Sequence, residues 1–160
     1  MSDTDSTSSA EIPRVERSRD AKLAVDWQHV WFAIARQQWS ALAIVPAHDA
    51  VSSLATARRL VTAGQAYSAT PVHLVDAASV DSASARLAIA EIEQHVKAGN
   101  KCVVVVASPI THPAAIAIAR VAGAALLVVP LGETEIRVAQ QTITCIGREL
   151  FVGAICQHHR

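Results

Sequence analysis

Features that would assign this sequence to a specialised class of protein are scarce. Its 160 residues include only three cysteines, Cys102, Cys145 and Cys156. They are widely spaced and odd in number, which is typical of reduced thiols rather than a disulfide framework or a C-x-x-C metal site. Lys+Arg and Asp+Glu both number 14, and this balance excludes a nucleic-acid binder that works through a basic field. No apolar run approaches the about 18 residues that a membrane-spanning helix needs.

Alanine and other apolar residues are abundant instead. The hydrophobic fraction is 51%, and 31 residues are alanine, so we expect a core packed largely with small side chains. The length predicts one domain, over residues 19–157. Residues 1–18 have almost no large apolar side chains and are predicted to be a disordered lead-in; residues 158–160 are predicted to be a frayed end. The N-terminus lacks the basic and apolar segments of a secretory signal, which favours a cytosolic location.

An amphipathic helix is predicted over Lys22–Gln38. Its large apolar residues recur with the spacing of one helical face, at Leu23, Trp27, Val30, Trp31 and Ile34. Trp27 and Trp31 therefore face either the core or a binding partner.

Five short apolar runs follow, each too continuous to alternate between core and solvent. They are Ala41–Pro46, Pro71–Asp76, Cys102–Ala107, Ala125–Pro130 and Phe151–Cys156. Such runs are typical of parallel strands that are covered on both faces. Helical stretches separate them, so the order predicts a doubly wound α/β fold: a mostly parallel five-stranded sheet with helices on both faces. Ligands bind such sheets at the carboxyl ends of the strands.

Local signals place several helix ends. Asp81 is a candidate cap for the third helix. Gly64 and Gly99 are predicted to end the second and third helices, because glycine is favoured just after a helix.

From Val30 to Cys156 the sequence resembles the cytoplasmic bacterial tyrosine-kinase domains. These domains accompany polysaccharide co-polymerases in capsule and exopolysaccharide synthesis, and belong to the wider MinD/ParA/Mrp group of P-loop ATPases. The most specific part of the resemblance is the order of Ile118–Gly123, Ala124–Pro130 and Gly132–Thr134. The resemblance implies a P-loop-like three-layer sandwich, with ATP and Mg²⁺ as the ligands of active relatives.

The phosphate loop of that family departs most from its pattern here. The loop needs glycines for close backbone approach, a Lys that neutralises phosphate, and a Ser/Thr hydroxyl on Mg²⁺. The matching residues 46–53 read PAHDAVSS. Ser52 and Ser53 keep the hydroxyls, but the glycines are lost, with Ala50 among the replacements, and Val51 stands at the Lys position. Asp49 would repel a phosphate.

The acidic motifs are also incomplete. The second strand ends in Asp76 followed by two alanines, so one of two carboxylates remains. The third strand ends in Ala107 and Ser108, where the family has the Asp that organises Mg²⁺ and water. Asp76, Ser52 and Ser53 have equally ordinary structural interpretations, as a carboxylate that accepts loop N–H groups and as capping hydroxyls.

Three hypotheses about function follow from these residues. The first is a non-catalytic P-loop-like protein, without a cofactor, at the cytoplasmic face of the inner membrane, which binds a polysaccharide co-polymerase or synthase and is able to form homo-oligomers. The second is a divergent but active ATPase that still binds ATP and Mg²⁺. The third is a metal-dependent hydrolase, since imidazoles and carboxylates follow adjacent strands at His48, Asp49, Asp76 and His112.

Overall fold

A computed structural model describes residues 14–49 and 52–158. Five helices alternate with five strands along the chain. The helices are α1 (Arg14–Ala35), α2 (Leu54–Tyr67), α3 (Ala85–Lys97), α4 (Ala114–Ala122) and α5 (Ile136–Ile146). The strands are β1 (Ala41–Pro46), β2 (Val72–Ala77), β3 (Lys101–Val106), β4 (Ala125–Leu131) and β5 (Phe151–His158), and a 3-10 turn at Arg148–Leu150 precedes β5.

The strands form one parallel sheet in the order β2-β3-β1-β4-β5. All five lie within two residues of their predicted bounds, because buried parallel strands are continuous apolar runs that the sequence displays directly. The predicted doubly wound α/β fold, consistent with a P-loop-like sandwich, is confirmed. No helix within 14–49 and 52–158 combines the length and the apolar character needed to cross a membrane.

Alternate residues of the strands pack into two separate hydrophobic cores, one on each face of the sheet. Leu42 and Ile44 of β1 pack with α1 and α2, together with Trp31 and Trp39; we call this side of the sheet the aromatic face. Ala43 and Val45 pack on the other side with α3, α4 and α5. We call it the alanine face, because its buried cluster is dominated by small residues: Ala41, Ala43, Ala47, Ala77, Ala88, Ala115, Ala119 and Ala125.

The helix boundaries differ from the predictions in α1, α2 and α3. Helix α1 begins at Arg14 and ends at Ala35, rather than at the predicted Lys22 and Gln38. Its first residues fall within the predicted disordered lead-in 1–18 and are helical instead; the rest of that segment lies outside the described residues. Asp81 accepts hydrogen bonds from the backbone N–H and the hydroxyl of Ser84, at 2.9 and 2.7 Å. It therefore caps the turn that leads into α3.

Gly64 does not end α2, which continues to Tyr67. A Cβ atom at Gly64 would lie 2.6 Å from the ring of Trp31, so the glycine instead lets α1 and α2 approach closely. Gly99 does lie just beyond α3, with a left-handed φ of +79°. At the other end of the chain His158 is the last residue of β5, and residues 159–160 of the predicted frayed end lie outside the described residues.

Candidate functional site

The topology places a crevice at the carboxyl ends of the adjacent strands β1 and β3. The chain leaves β1 towards α2 on the aromatic face, whereas it leaves β3 towards α4 on the alanine face. Neighbouring connections that run to opposite faces create the switch point where open α/β sheets bind ligands. The loops after β1 and β3 contain most of the predicted vestigial nucleotide site, but Ala50 and Val51 of that site lie outside the described residues.

Asp49 and Thr111 join the two loops across this crevice. The Thr111 hydroxyl lies 2.6 Å from Oδ1 of Asp49 and 2.9 Å from Nδ1 of His112. An ionised carboxylate can only accept, and a hydroxyl has one proton. Thr111 therefore donates to Asp49, and the Nδ1–H of His112 donates to Thr111. This order differs from a Ser-His-Asp triad, in which the imidazole lies between the other two groups and accepts the hydroxyl proton.

The exposed carboxylate of Asp49 makes this crevice a poor place for a phosphate. Anion sites at the start of a helix use converging backbone N–H groups and positive charge. Here a carboxylate stands in the loop that leads to α2 and is held by the opposite loop. Negative charge is thus already present where a phosphate would have to enter.

Ser53 is turned away from the crevice mouth. It occupies the residue before α2, is only 3% exposed, and makes no side-chain capping bond. Its hydroxyl instead donates to the carbonyl of Val106 at the end of β3, at 3.4 Å. The interpretation of Ser53 as a capping hydroxyl is therefore wrong, and its side chain holds α2 to the sheet. Ser52 is exposed.

The remaining residues of the predicted vestigial nucleotide site have ordinary structural environments. Asp76 accepts a hydrogen bond from the backbone N–H of Ala78, at 3.2 Å, as the structural interpretation of a loop-binding carboxylate predicted. Ala107 is half-buried just after β3 and brings no carboxylate to the crevice. Ser108 is buried, and its carbonyl accepts the N–H of His112 at 2.9 Å, which closes the turn into α4.

Thr142 also helps to position the loop after β1, although sequence reasoning did not identify it. This α5 residue is fully buried, and its hydroxyl donates to the carbonyl of Ala47 at 3.0 Å. The N–H of Ala47 in turn donates to Val128 of β4, at 2.9 Å. The first residue after β1 is therefore fixed from two sides. The available signal was a hydroxyl residue within the apolar stripe of α5.

The four residues of the metal hypothesis do not form a metal site. Asp76 binds its own loop, Asp49 and His112 are connected through Thr111, and His48 is half-buried. Within the described ranges, no three His, Cys, Asp or Glu side chains are grouped so that they could hold a metal ion.

The two predicted partner-binding tryptophans lie in different environments. Trp31 is 3% exposed and packs edge to face on Trp39, with ring centroids 5.7 Å apart. It is a core residue, so the surface role predicted for it is replaced by a packing role. Trp27 is half-buried, with the Arg59 guanidinium 5.8 Å from its ring centroid. Two other aromatic residues of α1 and α2, Phe32 and Tyr67, are each 50% exposed, with ring centroids 4.8 Å apart.

No protein-family description matches this chain, and no curated protein shows significant similarity to it.

Proposed function

We propose that this protein is a non-catalytic P-loop-like domain that acts by binding another protein. The hydrogen bond between Asp49 and Thr111 carries the proposal, because it puts a carboxylate across the crevice where an active relative would hold phosphate. The missing Lys at Val51 and the missing acid at Ala107 agree with it, since phosphoryl transfer depends on positive charge and on a positioned Mg²⁺.

The class of partner comes from the resemblance to the bacterial tyrosine-kinase domains. We propose a cytoplasmic accessory protein at the inner face of the membrane, which contacts a polysaccharide co-polymerase or synthase and regulates exopolysaccharide or capsule assembly. In active relatives nucleotide state controls association between subunits. A domain without nucleotide would hold one association state permanently. This step is an analogy at the level of the fold.

Nucleotide binding is tested by titration calorimetry of the full chain with ATP and Mg²⁺. We expect no binding heat for the wild-type chain, and none for Asp49→Ala, because removal of the carboxylate does not restore the Lys or the glycines. The double variant Ala50→Gly/Val51→Lys tests whether the fold regains affinity when the loop regains a family glycine and the family Lys. Micromolar affinity of the wild-type chain would overturn the proposal in favour of an active ATPase.

Partner binding is tested separately, with the purified cytoplasmic region of a polysaccharide co-polymerase from the same genome. The exposed pair Phe32 and Tyr67 on α1 and α2 is the aromatic surface available for the contact. We expect Phe32→Ala to weaken binding, while Leu87→Ala, at a 75% exposed position on α3, leaves it unchanged. Absence of any binding by the wild-type chain would contradict the partner assignment.

A further inference from the structure

The two outer strands of the sheet differ in how their edges are protected. Exposed strand edges are normally guarded by charges, by proline or by irregular backbone, since an unpaired row of N–H and C=O groups invites another strand. Edge strand β2 follows Pro71 and carries the exposed Asp76. Edge strand β5, with the sequence FVGAICQH, has no Lys, Arg, Asp, Glu or Pro.

Strand β5 is regular over most of its length. Its only irregularity lies near the start, where the register with β4 shifts between Ala125 and Leu126. From Gly153 to His158 the pairing with β4 is continuous, and within the described part of the chain no strand pairs with the other side of β5. Six consecutive residues therefore present an uninterrupted edge.

One side of this edge strand is covered, since Val152 and Ile155 pack on the aromatic face and the Gln157 amide donates to the Thr56 hydroxyl of α2, and the other side is exposed. Ala154, Cys156 and His158 are exposed, as is Gly153, whereas Ile155 and Gln157 are half-buried. Helix α5 packs on α4 and on the 3-10 turn. Leu131, in register with His158, is 41% exposed, and Ile136 at the start of α5 is 77% exposed. Exposed apolar groups beside an open edge favour an interface.

We propose that β5 pairs with β5 of a second copy of this chain, antiparallel and around a two-fold axis, to form one continuous ten-stranded sheet. An antiparallel pair of identical strands is self-complementary, as a two-fold interface requires. The strand carries no acidic or basic residue of fixed charge, so the symmetry brings no such like charges together. A charged peptide would find no complementary charge on β5, which favours the second copy.

The symmetry also limits the register. An axis perpendicular to the sheet keeps the α2 layers of both copies on the same side, so facing residues must point to the same face. With the axis at Ile155, Gly153 faces Gln157 and Ala154 faces Cys156. Small side chains next to the axis let the two backbones approach to strand-pairing distance.

The test compares two alanine-to-lysine variants of the full chain by sedimentation over a range of protein concentrations. Ala154 and Ala90 are both exposed, but Ala154 lies on the proposed interface and Ala90 on α3. We expect a wild-type dimer that Ala154→Lys weakens about tenfold or more, because like charges would meet across the axis, and that Ala90→Lys leaves intact. An equimolar mixture of Ala154→Lys and Ala154→Glu should regain the dimer.

Hydrogen exchange on the wild-type chain provides a second measurement that needs no variant. Pairing predicts that amides in Gly153–His158 become more protected as protein concentration rises, while those in Val72–Ala77 of the β2 edge do not. A chain that stays monomeric, an equal response to both lysine variants, or protection that ignores concentration would each overturn the proposal.

Discussion

The cores on the two faces of the sheet are built from side chains of different size. The aromatic face is covered by two helices, and a few large side chains fill much of its core. Among them, Trp31 of α1 packs against Gly64 of α2. The alanine face is covered by three helices, and about half of the residues in its buried cluster are alanine. The comparison predicts that stability is localised on one face and distributed on the other.

The largest expected effect is the loss of Trp31. Trp31→Ala should lower the free energy of unfolding by about 3–5 kcal/mol, since it removes a buried ring and leaves a cavity. On the alanine face Ala119→Gly removes the methyl group of a fully buried residue of α4, and should cost only about 1–2 kcal/mol through lost helix propensity and lost burial. Urea denaturation followed by circular dichroism measures both. Equal losses would show that the two faces do not differ.

Gly64→Ala tests the close approach between α1 and α2. The new Cβ would collide with the ring of Trp31 at 2.6 Å, so we expect a loss of about 1–3 kcal/mol from overpacking. In the Trp31→Ala background the same change should be neutral or stabilising, because alanine is the better helix former. If the two substitutions were additive, the contact between ring and glycine would not determine the helix spacing.

High pH should destabilise the alanine face through Cys102. Burial, with a smaller contribution from Glu91, raises the pKa of this thiol from 9.0 to about 11. Between these values the folded protein binds more thiol protons than the unfolded chain, so the free energy of unfolding falls as pH rises, by up to about 3 kcal/mol. Denaturation at several pH values measures the slope. Cys102→Ala, which cannot titrate, should show a shallower slope; an identical slope would assign the effect to other groups.

Thr142 should have the smallest of these effects. Thr142→Val keeps the shape but leaves the carbonyl of Ala47 without the Thr142 hydroxyl, so we expect a loss of about 1 kcal/mol. Thr142→Ser keeps the donor and is the matched control for the hydrogen bond. If the valine variant were as stable as wild type, α5 would not fix the loop after β1 through this contact.

The sequence was most informative where local pattern determines structure. The run CVVVV predicts β3 within one residue, because a continuous run of apolar β-branched residues is typical of a parallel strand that is buried on both faces. The prediction that Gly64 ends α2 was wrong for a physical reason. In a sequence, a glycine that ends a helix cannot be distinguished from one that makes room for an aromatic ring of a neighbouring helix. Only the position of Trp31, on another helix, distinguishes them.

The candidate site could be predicted only in its location. The resemblance pointed to the loops after β1 and β3, and the topology brings those loops together. The bond between Asp49 and Thr111 joins residues 62 apart in the chain, and that between Thr142 and Ala47 joins residues 95 apart. Such pairs depend on strand register and helix rotation, which periodicity does not specify. The sequence likewise does not show which acceptor the hydroxyl of a residue such as Ser53 will hydrogen-bond.

The concentration of indole rings on one side of the sheet has a spectroscopic consequence. All three tryptophans belong to the aromatic face, and Trp39 has the Lys101 ammonium 4.3 Å from its ring centroid. Intrinsic fluorescence therefore reports on α1, α2 and their side of the sheet, whereas far-ultraviolet dichroism averages over both layers of helices. Transitions that coincide by the two methods would indicate that the layers unfold together. A fluorescence change that comes first would mean that the α1 and α2 layer separates while the other remains helical.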